Sequence, residues 1–544
     1  MKNTALLLVI VLLAAIIRLW QLDSNPPGLT WDEAALGYNG YSILQTGRDE
    51  YGNLLPLNLK SFGDYKPAIY AYLTIPLIAV LGLSEWAVRL PSALFGILAV
   101  YGIFLLINQL FKNRWVALSC ALMLAISPWA IQFSRAAFEA NVALTLNIFG
   151  AYFLVKAKNK TNWLVPAAFV FGLSLLTYLS SKLFVPLFVI GLVLLFYRRI
   201  KSSKPLSLGI LAFLGVLGIV FVSTFVTGKT DRLATQNFFA YQRPLENTQL
   251  ISSEDTTDSS SVVFQILHGQ WWDYYRGLFE HYFIYFSPKI LFIEGDYSQR
   301  HRVPDLGVLF YFSVILIPIG LLFLLRQKGS AWPIFIWLIL APIPAVLSRD
   351  LISILRALNM VVPLAILEGT GLYVLLRVIW GIKGYWKYLG LLILSITIGF
   401  NFFIYLDRLF VHSPIQYSMY WLYGYKETLS NLKADQYQNV VVTDVYGQPY
   451  IYYLFYNQYP PIKYQQQAKL DQPTVDVGTV RKIDNIEFRH IFWPHDRGTK
   501  NSLFIGSLDE LPDKDILPFS EFRVLKDVRF LDGEPALRVV ETPL

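Results

Sequence analysis

The chain has 544 residues, of which 55% are hydrophobic and 15% are charged, and its mean hydropathy is +0.44. Because soluble globular proteins carry about 25% charged residues, this composition excludes a soluble protein and indicates one with many membrane-spanning helices. The net charge of +8 is expected mainly in cytoplasmic loops, so it does not indicate nucleic-acid binding. The single cysteine, Cys120, excludes an intrachain disulfide, and the sequence contains no zinc pattern, P-loop or dinucleotide-binding motif.

The first hydrophobic segment covers residues 5–20. Only Lys2 precedes it as a positive charge and no A-x-A cleavage site follows it, so we predict a retained membrane helix rather than a signal peptide. The stretch GLTWDEAALGYNGY comes next and places the adjacent carboxylates of Asp32 and Glu33 at the expected membrane surface. Thr30 and Glu33 have the spacing of a capping box, so the stretch supports two interpretations, a helix cap and a catalytic site.

Twelve apolar segments have the length expected of membrane-spanning helices, about 16–22 residues. They lie near residues 4–20, 67–83, 88–111, 115–133, 141–155, 162–179, 183–197, 206–227, 306–325, 331–347, 358–377 and 388–406. This pattern predicts a polytopic α-helical membrane protein.

Five clusters of Lys and Arg separate alternate segments from residue 88 onward. The clusters are Lys112/Arg114, Lys156/Lys158/Lys160, Arg198/Arg199/Lys201/Lys204, Arg326/Lys328 and Lys383/Lys387. The positive-inside rule places all five in the cytoplasm, which requires that segment 67–83 does not cross the membrane. We therefore predict about eleven crossings, with segment 67–83 lying along the interface or re-entering on the outer side.

This topology leaves several regions outside the cytoplasm. They are residues 21–87, 134–140, 180–182, 228–305, 348–356 and everything after residue 406. Because the cytoplasmic loops are short and basic, we expect an active site on the outer side. We divide the chain into a membrane domain, 1–406, and an extracytoplasmic domain, 407–544. Hydrophobic segments such as NVVVTDVYG, SLFIGS and ALRVVE predict that the second domain has a small α/β fold.

Further polar residues lie at predicted outer membrane edges. Lys66 opens the interfacial segment in DYKPAIYAYL, where a lysine that merely extends its charge to the membrane surface is also expected. Arg135 and Glu139, in SRAAFEAN, are four residues apart and would share one face of a helix. A surface ion pair and a pair that faces a cavity shared with Asp32 are both compatible with this spacing.

Cations also occur where the positive-inside rule disfavours them. Arg300, His301 and Arg302 precede one predicted span, and Arg349 and Arg356 precede another. Anchoring to lipid headgroups would explain them, and so would binding of a lipid phosphate, since Arg contacts phosphate oxygens in pairs. Combined with the carboxylates, these cations favour group transfer from a lipid-linked phosphate donor. A carboxylate would act as general base, and cations would stabilise the departing phosphate.

Five motifs resemble one known family of enzymes. They are GLTWDEAALGYNGYSIL, DYKPAIYAYL, GLSEWAVRLPSALFGILAVY, LFKNRWVALSCALMLAISPWAIQFSRAAFEAN and, more loosely, GDYSQRHRVPDLG. The chain resembles the GT-C fold membrane glycosyltransferases, in the branch of the protein O-mannosyltransferases and lipid A aminoarabinose transferases. The resemblance covers residues 10–160 well and 285–370 loosely. It implies juxtamembrane helices in the first outer loop, in agreement with the placement of segment 67–83.

The resemblance implies roles for the acids and the lysine of the first outer loop. Asp32 matches the acid that acts as general base, with Glu33 beside it. Lys66 matches the lysine of a K-P motif that binds the phosphate of the donor.

Other residues match less closely. Arg135 and Glu139 lie where the family carries polar residues in its second outer loop, so Glu139 is a further candidate base and Arg135 a candidate phosphate contact. Arg300, His301 and Arg356 are additional candidate phosphate contacts. Relatives with acids in both outer loops hold a divalent metal, but this chain has no D-x-E pair in the second loop. We therefore expect no essential metal and no cofactor.

The implied donor is a polyprenyl-phosphate sugar, transferred with inversion to an acceptor on a protein, a lipid or a cell-wall glycan. Three alternatives remain open at this point. One is an oligosaccharide ligase or polymerase that uses a lipid diphosphate donor. Another is a lipid or solute transporter, which the absence of an inverted repeat argues against. The third is an inactive scaffold, which the presence of Asp32 and Lys66 argues against.

Overall fold

A computed structural model describes residues 2–200, 204–222, 237–239, 246–255, 260–327, 329–471 and 478–543. The end of predicted segment 206–227, parts of loop 228–305, and the predicted cytoplasmic residues Lys201 and Lys328 lie outside the described residues. Within them the N-terminal region is a helical bundle, and a mixed sheet with short helices follows it.

The helices are numbered in chain order. Up to residue 407 they are α1 Lys2–Leu19, α2 Trp31–Thr46, α3 Ile69–Leu81, α4 Glu85–Phe111, α5 Arg114–Ile126, α6 Pro128–Gln132, α7 Glu139–Ala157, α8 Leu164–Leu175, α9 Ser181–Ile200, α10 Lys204–Phe221, α11 Glu246–Asp255, α12 Val262–His268, α13 Gln270–Ile284, α14 Ser313–Leu325, α15 Trp332–Leu340, α16 Ile343–Val346, α17 Val361–Gly381 and α18 Trp386–Asp407. Each of the twelve predicted segments overlaps at least one of them.

Four helical stretches of the described residues are long and apolar enough to cross a membrane. They are Glu85–Phe111, Glu139–Ala157, Leu358–Gly381 and Trp386–Gln416. Seven shorter apolar helices accompany them. Some are short because proline interrupts the predicted segment, since proline lacks the N–H that an intrahelical hydrogen bond needs. Pro128 separates α5 from α6, and Pro342 lies between α15 and α16. The number of crossings remains a prediction.

Segment 67–83 forms the short helix α3. Its 13 residues span about 20 Å, and the apolar core of a bilayer is about 30 Å thick. A two-stranded antiparallel hairpin leads into it, with β1 at Asn58–Ser61 and β2 at Asp64–Pro67. Helices α5, α8 and α14 are equally short or shorter, so length alone does not separate α3 from the predicted crossings, and its placement along the interface stays a prediction.

The region after residue 407 is built around a six-stranded sheet. Its helices are α19 Ser413–Gln416, α20 Tyr425–Leu429, α21 Pro449–Tyr456, α22 Pro461–Gln467, α23 Trp493–Asp496 and α24 Asp513–Ile516. Its strands are β3 Asn439–Val442, β6 Lys482–Ile483, β7 Ile486–Phe488, β8 Ser502–Gly506, β9 Arg523–Arg529 and β10 Pro535–Glu541, and β4 Leu470–Asp471 pairs separately with β5 Thr479–Val480. The strand order is β6-β7-β3-β8-β10-β9, and β3 runs parallel to both of its neighbours.

This sheet domain shares one hydrophobic core with α2 and α3. The core contains Leu36 and Tyr70 from the first part of the chain and Phe455 and Leu537 from the last. Two buried tyrosines form hydrogen bonds between the first part of the chain and the sheet domain. The Tyr38 hydroxyl donates to the Tyr459 carbonyl, and the Tyr452 hydroxyl donates to the Leu29 carbonyl. The sheet domain is therefore packed directly against the helix that carries Asp32.

Candidate functional site

The first turn of α2 is held by the predicted capping box. Thr30 accepts a hydrogen bond from the Glu33 backbone N–H at 3.3 Å, and the Glu33 carboxylate accepts one from the Thr30 backbone N–H at 3.0 Å. This cap satisfies two backbone groups that a helix start otherwise leaves without partners. It also fixes the orientation of the turn that carries Asp32, whose side chain is 52% exposed.

Lys66 meets Asp32 at this turn. The Lys66 ammonium donates a hydrogen bond to Asp32 Oδ1, and the lysine side chain is only 10% exposed. Strand β2 supplies Lys66 opposite Leu59 of β1, and the ammonium lies 5.5 Å from the centre of the Phe62 ring. The hairpin therefore presents one cation, with a buried stem, to one accessible carboxylate.

A second cation lies over the residue that precedes Asp32. The Arg300 guanidinium is 5.5 Å from the centre of the Trp31 ring, and Trp31 directly precedes Asp32. The segment is held in place because the Gln132 side chain donates to the Arg300 carbonyl at 2.9 Å. No carboxylate among the described residues forms an ion pair with Arg300. Its charge is therefore available beside Asp32.

His301 continues this segment toward the start of α7. Its ring lies 5.3 Å from that of Phe133 and 5.8 Å from that of Phe138, the residue before Glu139. His301 Nδ1 is 2.9 Å from the carboxylate of Asp296, which is 2% exposed. Burial alone would raise the pKa of Asp296, but hydrogen bonds from His301 and from backbone N–H groups lower it below its usual value. Asp296 is therefore a charged partner that orients the histidine.

Arg356 is connected to His301 through Asp296 and the loop that follows Ser353. Asp296 accepts a hydrogen bond from the Ile354 backbone N–H at 3.0 Å, which joins the His301 segment to the loop that carries Arg356. The Arg356 guanidinium binds the carboxylate of Asp350 at 2.5 Å, and its side chain is 20% exposed. The structure thus places Arg356 at the same end of the bundle, already paired with an acid.

Glu139 is the first residue of α7 and is partly exposed. The backbone N–H of Ala137, two residues earlier, donates to the Glu33 carboxylate at 3.0 Å. This bond brings the start of α7 against the start of α2. The structure therefore brings Asp32, Lys66, Glu139, Arg300 and His301 together around one turn of helix.

Glu33 is buried, with 3% exposure, and every contact it makes is structural. Besides its cap, it forms an ion pair with Arg89, whose Nε lies 3.0 Å from Glu33 Oε1. Arg89 is fully buried and also donates to the carbonyls of Leu22, Pro26 and Gly28. This geometry gives no support to the predicted catalytic role of Glu33, because its carboxylate is already saturated with donors.

Arg135 also differs from its predicted role as a phosphate contact. It is 1% exposed and donates to carbonyls at and after the end of α1, those of Ile17, Trp20, Gln21 and Asn25. Helix α7 begins only at Glu139, so the i, i+4 face predicted for Arg135 and Glu139 does not form. Arg135 instead satisfies the carbonyls that a helix end leaves without partners.

Sequence reasoning missed three structural groups near the site. Arg18 and Arg89 are fully buried, and the signal that could have found them is a charge inside a predicted apolar segment. Glu50 is also fully buried and accepts a hydrogen bond from Asn39 at 3.0 Å. Burial raises the pKa of Glu50 to about 8. Its second oxygen, Oε2, has no hydrogen-bond partner among the described residues.

The sheet domain touches the site through the loop after β3. Gly447 has a φ of +114°, and a Cβ built there would lie 2.6 Å from the Trp31 ring. Only glycine permits both this backbone conformation and this approach. Asp444 and Val445 of the same loop are partly or fully exposed. The loop after β3 therefore forms part of the wall beside Trp31 and Asp32.

Within the described ranges, no group of three or more His, Cys, Asp or Glu side chains is arranged to hold a metal ion. The arrangement can instead bind an anionic group between Lys66 and Arg300 and accept a proton at Asp32. These are the requirements of a displacement reaction at a phosphate-linked carbon.

Comparisons with known proteins bear on this arrangement. Residues 65–222 match the model of the dolichyl-phosphate-mannose-protein mannosyltransferase family. Over 230 residues the chain is 24% identical to YkcB of Bacillus subtilis, a protein named as a candidate mannosyltransferase. That match covers 41% of this chain and 30% of YkcB, so the chain aligns with less than a third of this relative.

Two solved proteins share the fold. ArnT from Cupriavidus metallidurans in the apo state has a TM-score of 0.58 at 13% identity, over 99% of this chain and 98% of ArnT. ArnT bound to undecaprenyl phosphate gives a TM-score of 0.52 at 12% identity, over 99% and 97%. The Archaeoglobus fulgidus oligosaccharyltransferase with zinc and sulfate gives 0.50 at 14% identity, over 83% of this chain and 61% of that one.

Proposed function

We propose that this chain transfers a sugar from a polyprenyl-phosphate donor to an acceptor. The proposal starts from its GT-C membrane glycosyltransferase fold, which the motifs predict and the comparisons confirm. Asp32 acts as general base, and Lys66 and Arg300 bind the donor phosphate. One observation carries the proposal. An accessible carboxylate accepts a hydrogen bond from one cation, and a second cation lies over the ring of the preceding residue, Trp31.

The donor phosphate enters between Lys66 and Arg300. Lys66 contributes a compact charge held by the hairpin, and Arg300 contributes a planar group suited to two phosphate oxygens. ArnT, whose fold this chain shares, has been solved with undecaprenyl phosphate bound. Binding of the phosphate draws the Lys66 ammonium toward the new anion, which releases the Asp32 carboxylate for the acceptor.

The reaction is then a single displacement. The acceptor hydroxyl or amine attacks the anomeric carbon, and its proton passes to Asp32. The bond between that carbon and the phosphate oxygen breaks, and the electron pair leaves with the polyprenyl phosphate. Lys66 and Arg300 stabilise the extra negative charge on the leaving phosphate. Attack opposite the leaving group inverts the anomeric configuration. Glu139, at the start of α7, is the second candidate for the base.

The proposal includes the predicted topology. About eleven crossings place the site, and the sheet domain that contacts it, on the extracytoplasmic side. The five basic clusters support this orientation. The acceptor then approaches from the same compartment as the sheet domain, past the loop that carries Gly447. A protein, a lipid and a cell-wall glycan all fit this placement.

The test is sugar transfer in membranes that contain the chain. Polyprenyl-monophosphate sugars with different headgroups are supplied, with the corresponding diphosphates as a second set. We expect transfer from a monophosphate donor, reduced by about 100-fold or more in Asp32→Asn, which removes the base but keeps the size of the side chain.

Asp23→Asn is the matched control, because Asp23 is an exposed acid on the segment that leads into α2. It should transfer at the wild-type rate. Equal transfer by Asp32→Asn and wild type would remove Asp32 from catalysis and leave Glu139 as the base. Transfer only from diphosphate donors would assign the chain to ligation or polymerisation instead.

A further inference from the structure

Helix α13 has three distinct faces. Gly277 and His281 are buried against the protein. The polar side chains of Asp273, Arg276 and Glu280 lie on a second face, since they are three and four residues apart. The third face carries five exposed aromatic residues, Trp271, Trp272, Tyr275, Phe279 and Phe283. A helix with one face on protein, one polar and one apolar is suited to the surface of a membrane.

The aromatic side chains of this face contact one another. Ring centres are 4.3 Å apart for Trp271 and Trp272, 6.0 Å for Tyr275 and Phe279, and 4.7 Å for Phe279 and Phe283. Both tryptophan indoles donate to carbonyls of α12, at Gln265 and Ile266, over 2.7 Å. Five exposed aromatic side chains in contact with one another are uncommon on a surface that faces water.

Helix α12 extends the same surface. Its exposed residues are Val262, Val263, Ile266 and Leu267, each more than half exposed. At the other end, the Tyr282 hydroxyl donates to the Ile339 carbonyl of α15 at 3.0 Å. Ile339 is itself 57% exposed on an apolar helix of the bundle. The aromatic face of α13 is therefore continuous with the lipid-facing surface of the bundle.

The contacts of α13 place it at the same end of the bundle as Asp32. The Tyr285 hydroxyl, just after α13, accepts a hydrogen bond from the Ser353 backbone N–H at 2.9 Å. The next residue, Ile354, binds Asp296, which binds His301 of the site. The level of α13 in the membrane is thus tied to the level of the site.

A groove lies where α11, α12 and α13 meet. It has a volume of about 240 Å³, with Ile251, Leu267 and Trp272 as apolar walls and His268, Asp273 and Arg276 on its polar side. Among the described residues, neither Asp273 nor Arg276 forms an ion pair. The carboxylate of Asp273 and the guanidinium of Arg276, beside apolar walls, complement a group that carries an ammonium, a phosphate and attached acyl chains.

We propose that α12 and α13 lie in the membrane leaflet on the side of the site, with the aromatic face among the acyl chains. The groove binds the headgroup of a zwitterionic phospholipid that carries a primary ammonium. Arg276 contacts the phosphate and Asp273 accepts hydrogen bonds from the ammonium. This inference concerns a lipid outside the site, so it stands whether or not the proposed sugar transfer is confirmed.

The depth of α13 is measured with a fluorescent label on the intact protein in lipid nanodiscs. Phe279→Cys and Glu280→Cys place the same environment-sensitive maleimide on adjacent residues of two different faces. Cys120 is buried, so wild-type protein is the unlabelled control. We expect the label at 279 to be quenched by spin-labelled lipids and the label at 280 by aqueous iodide.

Tyr275→Cys is a second variant on the aromatic face, in case Phe279→Cys does not fold. A label at position 275 should be quenched by spin-labelled lipids, as at position 279. Iodide quenching of both aromatic-face labels, without quenching by spin-labelled lipids, would overturn the placement in the leaflet.

The headgroup is tested by lipid retention. Protein is exchanged into micelles that contain equal amounts of phosphatidylethanolamine, phosphatidylcholine and phosphatidylglycerol with identical chains, and the retained lipid is measured by mass spectrometry. We expect several-fold enrichment of phosphatidylethanolamine, lost in Arg276→Gln and in Asp273→Asn. Arg497 is an exposed arginine of the sheet domain, so Arg497→Gln is the control. This variant should keep the enrichment of phosphatidylethanolamine. Equal retention of the three lipids, or a preference for phosphatidylglycerol, would overturn the zwitterionic assignment.

Discussion

The Lys66 ammonium and the Asp32 carboxylate, 34 residues apart, form a hydrogen bond that connects the β1–β2 hairpin to the first turn of α2. The lysine is nearly buried and the carboxylate is half exposed. The hairpin therefore sets the position of the cation, and the cap at Thr30 sets the position of the acid.

Replacing Lys66 should weaken binding of the donor. Lys66→Gln removes the charge that meets the phosphate, and hydrogen bonds to charged groups contribute about 1.5–3 kcal/mol. We expect KM for the donor to rise by about tenfold or more in the transfer assay. Lys60→Gln, on the neighbouring strand of the same hairpin, is the control and should leave KM unchanged. An unchanged KM in Lys66→Gln would exclude this lysine from phosphate binding.

Substitutions of the two adjacent acids should have different effects, with Glu33 contributing mainly to stability and Asp32 mainly to activity. Glu33→Gln leaves the buried Arg89 charge without its partner, and breaking a buried ion pair costs about 3–5 kcal/mol. Asp32→Asn removes the charge that faces Lys66 but keeps an oxygen that accepts its hydrogen bond, and the site is half exposed, so it should cost less, about 0.5–1.5 kcal/mol. Thermal unfolding in detergent micelles measures both. A larger loss of stability in Asp32→Asn than in Glu33→Gln would reverse our assignment of their roles.

The opening of α2 shows what the sequence can and cannot predict. The capping box at Thr30 is local, so its spacing was sufficient to predict it. A family resemblance implied a phosphate-binding role for Lys66 but not its hydrogen bond to Asp32. That bond joins residues 34 positions apart through the β1–β2 hairpin, so no local pattern shows it. The structure gives no support to the phosphate role of Arg135, because its guanidinium is buried against backbone carbonyls. Sequence could not show this, since those carbonyls lie more than a hundred residues earlier in the chain. No local pattern distinguishes an arginine that binds backbone carbonyls from one that binds phosphate.

Contact between the sheet domain and the site can be tested at Gly447. A methyl group there meets the Trp31 ring, whereas Gly533, which also has a positive φ of +94°, has no other atom within 4 Å of the same position. Gly447→Ala and Gly533→Ala therefore share backbone strain and differ in contact with the site. Because displacement of a reacting group by about 1 Å costs up to about 100-fold in rate, we expect transfer to fall strongly only in Gly447→Ala. Equal rates in the two variants would remove the sheet domain from catalysis.

The buried Glu50 predicts a dependence of stability on pH. Burial raises its pKa from the usual 4.5 to about 8, so the folded chain holds this proton more tightly than the unfolded chain does. Its contribution is therefore fully present below about pH 4.5 and decreases as the pH rises to about 8. Glu50→Gln keeps an acceptor for Asn39 and removes the titration.

Thermal unfolding of wild type and Glu50→Gln at pH 5, 7 and 8.5 measures the effect. The stability of wild type relative to the variant should fall across this series. A constant difference would show that Glu50 does not change protonation on unfolding in this range.

The buried arginines also constrain how the chain is assembled. Arg18 donates to the carbonyls of Leu124 and Ala125, more than a hundred residues later in the sequence. At a synthesis rate of about 5–20 residues per second, the first helix exists for roughly 5–20 seconds before these partners are made. During that interval its guanidinium has the Ala14 carbonyl of its own helix, and water or lipid phosphates must replace the carbonyls of Leu124 and Ala125. The first helix can therefore reach its final position only after the fifth has emerged, and the order of synthesis becomes part of how this fold is reached.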